Sequence, residues 1–237
     1  MPAKLFLIPS TLGECAPAET IPAATLAVLH RLGHLIVESP KQARRFLRAA
    51  GLRLSDGTRR LCVLDEHTRD SDLPALLAPA LSGMDIGLLS DAGCPAIADP
   101  GAKLVRLAHD HKIQVMPMVG PCSVTLALMA SGMNGQRFAF HGYLPVESAA
   151  RTHALLALEK ESKARDQTQI MIETPYRNNR LLAGILATCD PQSLLCIAAD
   201  LTLPSQYIET RTIANWRLDC PDIDRRPAVF LLSAPHR

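Results

Sequence analysis

The sequence has few aromatic residues and no long hydrophobic run. Aromatics make up 4% of its 237 residues, which argues against a surface on which nucleic-acid bases stack on rings. No stretch approaches the roughly 20 apolar residues that a membrane-spanning helix needs. The apolar run at residues 5–8 is too short for a signal peptide. We therefore expect a cytoplasmic protein with no membrane partner.

Several common site signatures are also missing. The seven cysteines are odd in number and form no CxxC pair, which argues against a disulfide framework and a structural zinc site. We expect no bound metal. The chain contains no P-loop and no GxGxxG turn, so the nucleotide-binding folds built on those motifs are disfavoured. A net charge of +2 leaves room for a local basic patch but provides no global attraction to nucleic acid.

The chain alternates apolar strands with helices, and its 48% hydrophobic content is that of a folded protein. In the first half, continuous apolar strands with little period-2 alternation predict a parallel, doubly wound α/β sheet. A break in the pattern near residues 117–121 predicts two domains, 1–118 and 119–237. The predicted strands are 5–8, 34–38, 61–64, 85–89, 113–118, 169–173, 194–199, 206–213 and 228–232, and the predicted helices are 22–31, 41–50, 73–81 (with a possible break at Pro79), 102–110, 124–131, 148–164 and 178–188.

The most informative stretch is the loop at residues 90–101, between a predicted strand and a predicted helix. It consists of small residues, prolines and two aspartates, Asp91 and Asp99. In open α/β sheets, ligands bind just beyond the carboxyl ends of strands, where helix N-termini converge. Small residues let backbone approach a ligand closely. The alternative is a structural turn whose aspartates cap the backbone, and the spacing alone favours neither interpretation.

Charged residues follow two other predicted strands. Glu173 to Arg177 brings a carboxylate, a phenol and a guanidinium to a strand end, which suits substrate positioning or proton transfer. The segment from Glu38 to Lys41, in the first half of the chain, likewise places a carboxylate and a cation at the end of a predicted strand. The alternative for each is a turn with a surface ion pair. Together with the loop at 90–101, both segments could converge on a cleft between the domains.

One predicted helix carries a basic stripe at helical spacing, formed by Lys41, Arg44, Arg45 and Arg48. Such a stripe can hold the phosphates of RNA or of an anionic substrate. Periodicity alone favours the simpler interpretation, a solvated helix face opposite a core face.

Five motifs in order resemble those of the tetrapyrrole methylase superfamily, and in particular the branch that 2′-O-methylates ribose in small-subunit ribosomal RNA. SDAGCP followed by DPG, at residues 90–101, resembles the SDAGxP…DPG motif. Residues 119–123 match the GPS/A segment, and residues 138–145 match F-x-G-F-L-P with Tyr143 in place of the second Phe. Residues 172–177 are similar to ESPHR, and residues 37–41 stand in the place of EDTR.

The resemblance implies a fold, a cofactor and a site. The fold is two α/β domains, with a parallel N-terminal sheet and a mixed C-terminal sheet, that bind S-adenosylmethionine (SAM) in the cleft between them, usually as a homodimer. The chemistry of methyl transfer makes Glu38 and Glu173 candidate bases or orienting residues, and Arg177 and Lys41 could neutralise a phosphate or a developing alkoxide. The implied cofactor-binding residues are Pro9, Ser90, Asp91, Cys94, Ile97, Ser123, Val124, Met171, Ile172, Ala199 and Ala228.

We therefore expect a SAM-dependent methyltransferase that acts on RNA, with ribosomal RNA or a ribosomal subunit as its partner. The sequence departs from the branch at Ser39-Pro40, which replaces Asp-Thr, and at Tyr176, which replaces a histidine. These departures leave two alternatives open. One is methylation of a small molecule such as a tetrapyrrole, and the other is a SAM-binding protein without catalysis.

Overall fold

The computed structural model describes residues 3–52 and 59–235. The chain divides into two compact units, Met1–Cys122 and Ser123–Arg237. The domain boundary predicted after residue 118 lies in the loop between the last strand of the first unit and the first helix of the second. Within the described residues, no helix combines the length and the apolar character that crossing a membrane requires.

The N-terminal unit alternates strands and helices, as the apolar pattern predicts. Its elements are β1 (Lys4–Ile8), α1 (Pro17–Thr20), α2 (Ala23–Arg31), β2 (His34–Val37), α3 (Pro40–Ala49), β3 (Arg60–Val63), α4 (Leu73–Leu81), β4 (Ile86–Leu89), α5 (Ala102–Asp110) and β5 (Gln114–Pro117). The strands form a five-stranded sheet in the order β3-β2-β4-β1-β5. Every pairing is parallel, so the carboxyl ends of all five strands lie along one edge.

Two apolar cores cover the two faces of this sheet. In β1, Leu5 belongs to one core and the next residue, Phe6, to the other, because successive side chains of a strand point to opposite faces. The first core packs the sheet against α4 and α5, and the second packs it against α2 and α3. This is the predicted doubly wound arrangement. Helix α4 runs through Pro79 without a break, and Leu77 and Ala80 on either side of Pro79 are buried.

The C-terminal unit contains a five-stranded mixed sheet in the order β6-β7-β10-β8-β9. Its elements are α6 (Ser123–Ser131), β6 (Phe138–Tyr143), α7 (Ser148–Arg165), β7 (Thr168–Ile172), α8 (Asn178–Thr188), β8 (Leu194–Ala199), β9 (Tyr207–Thr212), α9 (Ile213–Trp216) and β10 (Ala228–Ser233). Strands β6 and β7 are parallel, whereas β10 and β9 run antiparallel to their neighbours. The prediction of a parallel sheet followed by a mixed sheet is confirmed.

The core of the C-terminal unit lies between this sheet and helices α7 and α8. Leu155 of α7 and Ile185 of α8 pack with alternate residues of β10, including Phe230. Trp216 is fully buried in the same core, and its indole N–H donates to the carbonyl oxygen of Leu195 at 2.8 Å. A buried indole requires such a partner. Helix α6 packs against β10, β9 and β8 of the same sheet.

Candidate active site

The loop at residues 90–101 follows β4 and has a constrained backbone. Gly93 and Gly101 have positive φ angles of 73° and 138°, and the alanines Ala96 and Ala98 also lie in the left-handed region, at 64° and 57°. Left-handed conformations in residues other than glycine are unfavourable and concentrate at functional sites. The amide of Ser10 donates to the carbonyl oxygen of Gly93 at 2.9 Å, which ties this loop to the loop after β1.

Three carboxylates gather at this edge of the parallel sheet, because β2 and β4 are neighbours in it. The amide of Ser39, just after β2, donates to Asp91 Oδ1 at 3.2 Å. The hydroxyl of Ser90, which is 4% exposed, donates to the carboxylate of Asp99. Among the described residues, no Lys, Arg or His side chain forms an ion pair with Glu38, Asp91 or Asp99.

The environment of this cluster favours protonated carboxyl groups. Burial, with repulsion from Asp99 and Asp91, raises the pKa of Glu38 to about 7. Burial also raises the pKa of Asp99 to about 6, against the opposing hydrogen bond from Ser90. The pKa of Asp91 is raised by burial, and the Ser39 amide opposes that shift. Glu38 therefore exchanges its proton near neutral pH, which suits a general base.

The loops after β1 and β5 meet at Pro9 and Gly120. A Cβ atom added at Gly120 would lie 2.6 Å from Pro9 Cβ and closer still to Pro9 Cγ. The loop after β5 is also fixed by its neighbours, since the hydroxyl of Thr25 donates to the carbonyl oxygen of Val119 at 2.8 Å. Pro9, an implied cofactor residue, therefore sits in a closely packed frame that only glycine at position 120 permits.

Cys94 and Cys122 form a thiol pair in the N-terminal unit. A hydrogen bond with the Cys122 side chain, together with burial, raises the pKa of the Cys94 thiol. The Cys94 thiol also donates to the carbonyl oxygen of Pro121 at 3.5 Å. Because the thiolate is the reactive form, Cys94 has the character of a packing residue and not of a nucleophile.

The implied cofactor residues of the C-terminal unit collect mostly at one end of its sheet. Ile172 ends β7, Ala199 ends β8, and Ala228 begins β10 directly opposite Ala199. Met171, one position before Ile172, is fully buried. The remaining two, Ser123 and Val124, begin α6. In the N-terminal unit, Ile97 is 46% exposed at the tip of the loop at 90–101.

Glu173 and Arg177 form an ion pair directly after β7. Arg177 donates to Glu173 Oε1 through Nε at 3.0 Å and Nη2 at 2.7 Å, and the amide of Thr174 donates to the same oxygen at 2.7 Å. The Glu173 side chain is 4% exposed and that of Arg177 is 26% exposed. Tyr176, in contrast, is 68% exposed. The carboxylate is thus committed to holding the guanidinium, whose outer edge remains open to solvent.

A second ion pair at this end of the sheet was not identified from the sequence. Arg226 Nε donates to Asp200 Oδ2 at 2.8 Å, and Asp200 immediately follows β8. Ser205 donates to the same oxygen at 3.0 Å. The rule that ligands bind after strand ends could have indicated Asp200, since an apolar run precedes it directly. Among the described residues, no group of three or more His, Cys, Asp or Glu side chains has a geometry that could hold a metal ion.

Comparison with known proteins identifies relatives over most of the chain, although no protein-family model matches it. Ribosomal RNA small subunit methyltransferase I of Escherichia coli O157:H7 is 33% identical over 199 residues, which are 84% of this chain and 65% of the relative. The protein of that name from Vibrio cholerae serotype O1 is 32% identical over 211 residues, 89% of this chain and 69% of the relative. The chain thus spans about two thirds of the length of these relatives.

Solved structures with low sequence identity share the fold. The methyltransferase CobJ superposes with a TM-score of 0.64 at 15% identity, covering 98% of this chain and 100% of that one. Uroporphyrin-III-C-methyltransferase from Thermus thermophilus superposes with a TM-score of 0.56 at 17% identity, covering 98% of this chain and 93% of that one. The fold expected from the five motifs is therefore confirmed.

Proposed function

The chain belongs to the ribosomal RNA small subunit methyltransferase I family, a family of methyltransferases, and on that premise we propose that it methylates a ribose 2′-hydroxyl of small-subunit ribosomal RNA with SAM as the donor. The observation that carries this proposal is the cluster of Glu38, Asp91 and Asp99 at the carboxyl edge of the parallel sheet. The cluster lies at the loop that the motif resemblance assigns to the cofactor.

The residues of this loop suit SAM. When bound, SAM supplies an electrophilic methyl carbon on a positively charged sulfur. Three carboxylates without a cationic partner among the described residues attract a positively charged ligand. Because the residues of this loop are small, its backbone groups can approach the ligand closely. The close packing of Pro9 against Gly120 fixes the two neighbouring loops. The residues that would hold SAM are Pro9, Ser90, Asp91, Cys94, Ile97, Ser123, Val124, Met171, Ile172, Ala199 and Ala228.

Glu38 is the general base in this proposal. A ribose hydroxyl is a weak nucleophile, so a carboxylate that accepts its proton speeds its attack on the methyl carbon. In the free protein the pKa of Glu38 is about 7. A cationic ligand bound at this cluster would stabilise the Glu38 carboxylate and lower that pKa. Glu38 would then be more fully ionised when the donor is bound.

Arg177 is the charge-stabilising residue, and Glu173 positions it. Because Glu173 Oε1 already accepts from Arg177 and from the Thr174 amide, we assign Glu173 to orienting the guanidinium and not to taking a proton. The open edge of Arg177 suits an RNA phosphate or a developing alkoxide. Lys41, at the start of α3, is a second candidate for binding a phosphate. We further propose that the chain acts as a cytoplasmic homodimer on the small ribosomal subunit, as the resemblance implies.

Transfer of label from methyl-labelled SAM tests this proposal. The purified chain is incubated with small ribosomal subunits, and separately with the low-molecular-weight fraction, of a strain that lacks its gene. We expect label in RNA that digests to a 2′-O-methylated nucleoside, and none in subunits from the parent strain, which are already methylated. Label only in the small-molecule fraction would instead support the tetrapyrrole-like alternative. Binding of S-adenosylhomocysteine without transfer to either fraction would support a protein without catalysis.

A further inference from the structure

A small hollow lies in the N-terminal unit between the loop after β1 and helix α3. Its volume is about 240 Å³, below the roughly 300–1,000 Å³ of sites that enclose drug-sized ligands. It therefore suits a single planar ring and not a whole SAM molecule. Asp91 and Ala92 form one border, so the hollow shares Asp91 with the candidate site, but no other residue assigned to catalysis or to the cofactor lines it.

The lining of the hollow combines apolar walls with hydrogen-bonding groups. Leu12, Phe46 and Ala49 provide apolar surface, and Gln42 provides an amide with both donors and an acceptor. Ser10 also lines the hollow, is 1% exposed, and has a hydroxyl oxygen with no hydrogen-bond partner among the described residues. A buried hydroxyl without a partner is unfavourable. A ligand with polar edges and an apolar face matches this lining.

A basic surface continues from the hollow along the same helix. A second hollow of about 630 Å³ is lined by Ser39, Lys41, Gln42, Arg44, Arg45 and Arg48, and it shares Gln42 and Arg45 with the first. Helix α3 contains no acidic residue. Arg45 pairs with Glu14. Lys41, Arg44 and Arg48 are exposed and form no ion pair with any other described residue, so three cationic groups are available to an anionic ligand.

We propose that α3 binds a single-stranded segment of the substrate RNA, with one unstacked nucleobase in the 240 Å³ hollow and the flanking phosphates on Lys41, Arg44 and Arg48. The inference rests on the proposed function and assigns new binding residues to it. Proteins that read single-stranded RNA insert splayed-out bases into pockets and bond their polar edges. Phosphate contacts supply affinity and position the strand. Neither hollow alone recognises RNA, but their continuity on one helix matches the alternation of base and phosphate in a strand.

Two strands of equal length separate base recognition from phosphate binding. Fluorescence anisotropy is measured with a 12-nucleotide single-stranded RNA and with a base-free ribose-phosphate strand. We expect the protein to prefer the RNA at least tenfold. Ala49→Trp fills the hollow from an exposed helix position, so it should remove that preference while leaving the affinity for the base-free strand unchanged. A preference that survives Ala49→Trp would overturn the nucleobase assignment.

The basic surface is tested by removing Lys41, Arg44 and Arg48 together as alanines. We expect weaker binding of both strands. The slope of log K against log salt should become less steep by about 2, because each of the three lost phosphate contacts contributes roughly 0.7 to its magnitude. The matched control removes the same charge from other helices, by Arg106→Ala, Lys160→Ala and Arg180→Ala. Equal losses in the two triple variants would overturn the assignment of phosphates to α3.

Two further measurements separate this inference from the proposed function. S-adenosylhomocysteine affinity should be unchanged in Ala49→Trp, and its loss would show that the hollow belongs to the cofactor. Tripolyphosphate should compete with both strands but should not abolish the preference for bases. Transfer of label into RNA by the unmodified chain together with base-independent binding would refute the inference alone, whereas base-dependent binding without transfer to any RNA would refute the proposed function alone.

Discussion

Gly120→Ala is expected to weaken S-adenosylhomocysteine binding at least tenfold and to destabilise the N-terminal unit by about 1–3 kcal/mol, the usual cost of overpacking. The added Cβ would lie 2.6 Å from Pro9 Cβ, and a proline ring has no rotamer by which to withdraw. Pro9 is buried, and the following residue is held by the bond from the Ser10 amide to Gly93. The loops that we assign to the cofactor must therefore shift. Isothermal titration calorimetry and urea unfolding measure the two effects.

The matched control for this variant is Gly135→Ala. A Cβ added at Gly135 meets no atom within 4 Å, and its φ is not in the left-handed region, so we expect unchanged affinity and unchanged or slightly higher stability. If Gly120→Ala bound S-adenosylhomocysteine as tightly as this control does, the contact of Pro9 with Gly120 would not shape the cofactor site.

Glu38→Gln is expected to lower the rate of methyl transfer by about a hundredfold or more, the range attributed to a general base. Because the pKa of Glu38 is about 7 in the free protein, kcat/KM of the unmodified chain should rise with pH up to about 7 and then level off. The corresponding rise in kcat should occur at a lower pH, because a bound cationic donor would stabilise the Glu38 carboxylate. The variant should lack both rises, which a pH series of initial rates measures.

Glu66→Gln is the control for this experiment. Glu66 is exposed and contributes a smaller repulsion to Glu38, so its removal should leave the rate unchanged and move the pH profile slightly to the acid side. A full rate in Glu38→Gln would exclude Glu38 as the base. An acid limb that persists in Glu38→Gln would assign the titration to another group.

The ionisation of Glu38 should also affect the free energy of unfolding. That free energy should decrease as pH rises, whereas kcat/KM increases. The pKa of Glu38 is raised in the folded chain from its ordinary 4.5 to about 7, so the folded state retains a proton that the unfolded state has released. The free energy of unfolding therefore falls as pH rises between those two values. Glu38→Gln removes this decline and should gain about 1 kcal/mol at pH 8, after allowance for the solvent exposure of the side chain.

The elements around the site were predictable because they depend on local pattern. The apolar run that ends at Ser90 predicts β4 and the loop after it, and the periodic segment that follows predicts α5. The proximity of Glu38 to Asp91 was harder to predict from the sequence. A parallel sheet was predicted, but its strand order was not, and these residues meet because β2 pairs with β4. The Glu173–Arg177 pair spans only four positions, so a local motif could indicate it.

Contacts between distant loops had no signal in the sequence. The packing of Pro9 against Gly120 and the thiol pair of Cys94 and Cys122 depend on how strand-end loops fold back on one another. The hollow beside α3 likewise results from the loop after β1, whose small and polar residues predict no particular shape. The sequence was misleading at helix α4, because a proline usually ends a helix. The helix continues through Pro79, and Leu77 and Ala80 on either side of it are buried.

Calorimetric titration with S-adenosylhomocysteine shows whether the loop at 90–101 binds the cofactor. We expect saturable binding of one molecule per chain, abolished by Asp91→Trp in the loop at 90–101 and retained by Asp110→Trp at the exposed end of α5. Absence of binding to the folded, unmodified chain would show that it is not a SAM-dependent enzyme. Equal binding by the two tryptophan variants would place the cofactor away from the loop on which the proposed mechanism depends.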